Sequence, residues 1–145
     1  MFSGRTVGYL EGLCHASDAT YPEGGAVFSL KQSHNSANAE LPSELQEAFR
    51  LLAPQPHLVP SPQQIADLAR FIQGMLGRYT PDSPSGYAVA AAHHLERLLY
   101  ADLGYDLIHV HTEDWNHGMG MELQVVMARK RDNNLFSLES SWQVD

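Results

Sequence analysis

Past Gly104 the apolar residues change their spacing, and that change constrains the fold more than any other feature of the chain. Before it they recur at three and four residues. Ile65, Leu68, Ala69, Ile72, Met75, Leu76 and Tyr79 form one such stripe, and Ala88, Ala91, Ala92, Leu95, Leu98 and Leu99 form another. A helix of 3.6 residues per turn brings those positions onto one face. After Gly104 the spacing falls to two, the period of a strand with one buried face.

The helical stretches carry their own punctuation. Ser61-Pro62 supplies a cap followed by proline at the first helical position, where the missing N–H costs nothing. A helix is predicted from about Ser85 to Leu103, with Gly104 as its left-handed stop. Its alanines allow close approach of a neighbour. Ser43-Glu44-Leu45-Gln46 has the form of a capping box, and Leu45, Ala48, Phe49 and Leu52 follow it at helical spacing. The proline-rich stretches APQPHLVPSP (53–62) and TPDSPSG (80–86) cannot be helix interior and are read as connections.

Three strands are predicted beyond Gly104: YDLIHVHT (105–112), MGMELQVVMARK (119–130) and LFSLESSW (135–142), the last two joined by the turn RDNN (131–134). Short connections make them an antiparallel meander. In the middle strand Met119, Met121, Leu123, Val125 and Met127 share one face, with Glu122 and Gln124 opposite. Near the N-terminus, RTVGYLEGL (5–13) and GGAVFSLKQ (24–32) each read as a further strand, and KQSHNSANAELPS (31–43) as polar loop. Strands, then helices, then strands give an α+β class: an antiparallel sheet of about five strands packed against about three helices.

A 43% hydrophobic and 18% charged composition is that of a globular chain, and residues 1–145 are taken as one domain. No apolar run reaches the roughly 18 residues of a membrane span. The first fifteen residues hold one Arg and no apolar stretch, unlike a secretory signal. A lone Cys14 forms no internal disulfide and fits the cytoplasm, most simply as a buried, inert thiol. Seventeen acids against nine bases leave a charge of −8, which repels nucleic acid and anionic membrane and attracts basic partners. Three of the bases, Arg129, Lys130 and Arg131, stand together at a hairpin end and are read as a solvated tip.

The densest chemistry lies in IHVHTEDWNHG (108–118). His109 and His111 alternate on a strand, so they are expected on one face, about 7 Å apart. With His117 they could hold one transition metal such as zinc, with Glu122 as another candidate third ligand; Glu113 or Asp114 would be general base in a small metalloenzyme. The competing expectation takes 113–118 as an exposed turn. Glu113, Asp114 and Trp115 then form an acidic, aromatic contact tip, since a Trp at a tip is costly unless it packs or binds.

No catalytic constellation is complete, and no nucleotide or nucleophile motif is present. The leading expectation is therefore a small acidic, non-catalytic binding protein without a cofactor. It would meet a protein partner with a basic, nucleic-acid-binding surface and bind neither nucleic acid nor membrane itself. Small inhibitors of phage and mobile elements, anti-CRISPR proteins among them, stand in for phosphates in this style. The metalloenzyme is one alternative; a homodimer joined through its wet sheet face is another.

Overall fold

The change of period at Gly104 is also where the last described helix gives way to the C-terminal strands in the structure. A computed structural model describes residues 2–33, 62–77, 85–104, 107–116, 119–129, 131–132 and 134–144, with the side chains of Ser33, 62–64 and 107–116 outside the description. In chain order the elements are α1 (Gly4–Thr20), β1 (Gly25–Ser33), α2 (Pro62–Met75), α3 (Gly86–Leu103), β2 (Leu107–Asn116), β3 (Gly120–Arg129) and β4 (Asn134–Gln143). The expected helix at 43–52 and the residue Tyr79 lie outside the described residues.

The fold is α+β. Among the described residues the sheet has four strands, in the order β1-β4-β3-β2, and every pairing is antiparallel. Strands β2, β3 and β4 form the expected meander. Strand β1, from GGAVFSLKQ, closes against β4 rather than beside its sequence neighbours.

Arg5–Leu13 is not a strand; it lies within α1. The buried residues of α1 are Thr6, Leu10, Cys14 and Ser17, spaced four, four and three apart. That is a helical face, but half of it is polar, so the hydrophobic signal of the segment is nearly lost. The Ser3 hydroxyl accepts the Thr6 N–H at 3.4 Å and caps the helix. The Asp102 carboxylate, from the last turn of α3, accepts the Ser3 N–H at 2.9 Å and the Thr6 hydroxyl. The start of α1 is thereby tied to the end of α3.

Helices cover one face of the sheet. Ile65, Leu68, Ile72 and Met75 of α2 and Ala88, Ala92, Leu95 and Leu99 of α3 meet Met121, Leu123, Val125, Met127, Phe136, Leu138 and Trp142 in one core. Ala88 and Ala92 are fully buried, as close helix packing requires. Cys14 is buried in the same core, as the sequence suggested. No described helix is long and apolar enough to cross a membrane.

Arg129 and Arg131 are not a solvated tip; Lys130 lies outside the described residues. Arg129 and Arg131 donate to the Leu103 carbonyl at 3.2 and 2.7 Å, where α3 leaves its last carbonyls without helical partners. Arg129 also clasps Asp132 through Nε and Nη2 and lies 5.0 Å over the Phe136 ring. Gly104, at φ 109°, donates its N–H to the Tyr100 carbonyl and turns the chain from helix into sheet.

Candidate functional site

The face of the sheet turned away from the helices is built by strict alternation. On β3, Glu122 and Gln124 are exposed between the buried Met121, Leu123 and Val125. On β4, Ser137, Glu139 and Ser141 are half-buried between Phe136, Leu138, Ser140 and Trp142. On β1, Val27, Ser29 and Lys31 take the matching positions, level with Ser141, Glu139 and Ser137.

Registers turn these alternations into rows across the strands. Val27, Ser141 and Glu122 make one row, and Ser29, Glu139 and Gln124 the next. Together they line a concavity of about 470 Å³. Glu139 is held from two sides: Lys31 Nζ lies 3.3 Å from one carboxylate oxygen, and Gln124 Nε2 donates to the other at 3.4 Å. Both partners of the ion pair are solvent-exposed, so the pair contributes about 1 kcal/mol or less and is a weak restraint on the face. Val27 is 65% exposed, the most exposed large apolar side chain described.

The residues expected to form a site on IHVHTEDWNHG are placed here by backbone only. Glu113–Asn116 is not a turn; β2 continues through it, paired with Gln124–Met121 of β3. Glu113 is level with Gln124 and Trp115 with Glu122, so both extend the two rows of this face, which no described element covers. Asp114 is level with Leu123, a position of the other face. The three residues expected to act together therefore divide between faces.

The two histidines divide as well. The register shifts between His109 and His111, leaving Val110 as the extra residue of a bulge. His109 is level with Met127 and His111 with Val126, adjacent positions whose faces are opposite. The one-face geometry expected from their spacing assumed an unbroken strand. His117 lies outside the described residues, and among those described no three His, Cys, Asp or Glu groups are gathered as a metal site requires. Elsewhere, His93 is exposed, and His94 packs edge-on to Tyr9 with centroids 4.8 Å apart.

Sequence reasoning found Glu122 and Gln124 on the wet face but missed Val27, Ser29, Lys31 and Glu139 as their neighbours. The alternation in LFSLESSW did carry Glu139. What it could not carry was the pairing of β1 with β4, which joins residues more than a hundred positions apart. A comparison of the chain with protein-family models, with curated proteins and with solved structures finds no significant match.

Proposed function

We propose that this protein is a small acidic binding protein that acts by docking, not by catalysis, with the uncovered sheet face set against a basic surface of a partner protein. The carrying observation is the pair Glu122 and Glu139 in one open concavity, whose neighbouring base, Lys31, is already engaged by Glu139. Glu113 and Trp115 hold register positions level with Gln124 and Glu122, in the same two rows. The −8 charge of the whole chain supports long-range attraction to a basic groove of the kind that holds nucleic acid. Occupying such a groove in the cytoplasm would make the protein an inhibitor of its partner.

Capture on immobilised protein tests this. Basic nucleic-acid-binding proteins should be retained from lysate, be released as salt rises, and be displaced by added DNA. The paired substitutions Glu122→Lys and Glu139→Lys should abolish retention while leaving the fold intact by circular dichroism. Retention that survives both substitutions, or that ignores salt, would overturn the reading.

A further inference from the structure

We propose that the outer edge of β1 is a strand-addition site for an extended, basic segment of the partner protein. This specifies the partner in the docking function above and rests on it. Among the described strands β1 ends the sheet, and its nine residues pair with β4 without a break in register. In such a strand the N–H and C=O of alternate residues face the neighbour, and those of the residues between face outward. One hydrogen bond identifies which set is outward: the Ala26 N–H donates to the Asp18 carboxylate of α1 at 3.0 Å, away from β4. By the same alternation Phe28, Leu30 and Gln32 present their backbone groups along the edge.

Natural sheets guard such an edge with proline, bulges, charge or a covering element. Here Asp18 guards Ala26, and the sequence from Val27 to Gln32 has no proline, no bulge and one charge, Lys31. Among the described residues nothing pairs with the outward groups of Phe28, Leu30 and Gln32. A partner strand would sit about 4.8 Å beyond β1 and complete the ladder.

Charge states the chemistry of that strand. Glu11, His15 and Asp18 of α1 border a cleft of about 300 Å³ beside Ala26, Val27 and Phe28. On the other side of the same strand the larger concavity, which also touches Val27 and Phe28, is bordered by Glu122 and Glu139. An added strand projects alternate side chains to both sides of the sheet, so acids await it on each. A second copy of this chain is the poorer occupant, because its own β1 edge brings the same acids and only one base in the strand, Lys31, which Glu139 engages.

The test is amide hydrogen exchange, read by NMR on the full chain, with a short synthetic peptide of alternating valine and lysine as the probe. The expected result is exchange slowed about tenfold or more at Phe28, Leu30 and Gln32, with Val27, Ser29 and Lys31 unchanged. The same peptide with alternate amides N-methylated should slow nothing, and neither should a valine–glutamate counterpart. Equal protection by the glutamate peptide would overturn the basic partner. Protection that rises with protein concentration in the absence of peptide would overturn it in favour of a second copy. If the lysine peptide instead perturbs Glu122 and Glu139 and leaves the edge amides unchanged, strand addition fails while the docking function stands. Failure of the docking function itself is read separately, from retention that survives charge reversal.

Discussion

The indole of Trp142 lies flat on the ring of Tyr21, with centroids 5.4 Å apart and planes 7° from parallel. The Tyr21 hydroxyl donates to the Gly74 carbonyl at 2.8 Å, and the indole occupies the space a side chain at Gly74 would need. Three elements therefore close at one point: the end of α1, the last turns of α2 and the end of β4. Ser141, on the opposite face, is the chain neighbour of Trp142 and lines the concavity.

Substitution at that point should be costly out of proportion to its size. A Cβ at Gly74 would fall 2.4 Å from Trp142 Cζ2, and a stacked indole cannot retreat as a flexible chain can. Gly74→Ala gains about 1 kcal/mol in helix propensity but should lose about 1–3 kcal/mol to overpacking. A lowered urea midpoint is expected. Trp142, 5% exposed, should cost about 3–5 kcal/mol as Trp142→Ala. Trp142→Phe should cost less, because the indole N–H finds no acceptor among the described residues and its removal forfeits no hydrogen bond.

Acid should loosen the join between α1 and α3. Burial alone would push the Asp102 carboxyl up, but hydrogen bonds from the Ser3 N–H and the Thr6 hydroxyl favour the charged form more, and the net shift is downward. A carboxyl that is more acidic folded than unfolded contributes stability above its unfolded value, and that contribution is lost as pH falls through the folded one. Stability should therefore decline as pH drops below the ordinary aspartate value of 3.8. Asp102→Asn should be less stable at neutral pH, with a shallower decline towards acid. An unchanged pH profile in urea titrations of this variant would remove Asp102 from that role.

How much of this was legible in the sequence depended on whether burial was local and apolar. Helices α2 and α3 were readable because nearly all their buried positions are hydrophobic, Gln73 and Glu96 being the polar exceptions. In α1 two of the four buried positions are Thr6 and Ser17, and Gly4, Gly8 and Gly12 dilute helix propensity, so the segment imitated a strand. Glu113–Asn116 read as a turn because three of its four residues are polar; only pairing with β3 makes it strand. The bulge at Val110 left no local mark, yet it decides which face each histidine takes.

Cys14 should behave as an inert thiol. Burial first, and then the carboxylates of Asp18 and Glu11, push its pKa up to about 11 from the ordinary 9.0. Two units leave about a hundredfold less thiolate in mildly alkaline buffer, and the thiolate is the reactive form. Reaction with a disulfide reagent should be at least that much slower in the native protein than in urea. Fast native labelling would show that the α1 face opens readily.

The bulge at Val110 makes a specific statement about metal binding through His109 and His111. Two imidazoles converge on one ion from a strand when they share a face, and these take positions level with Met127 on one face and Val126 on the other. Zinc should then leave the thermal midpoint unchanged, and a chelator should do the same. The two alanine variants should also part company. Position 109 is level with a fully buried residue, so His109→Ala is expected to lower stability by about 1 kcal/mol or more. Position 111 is level with half-buried Val126, and His111→Ala should stay within about 0.5 kcal/mol of the parent. A zinc-dependent rise in midpoint that either substitution abolishes would mean that the two histidines meet despite the register.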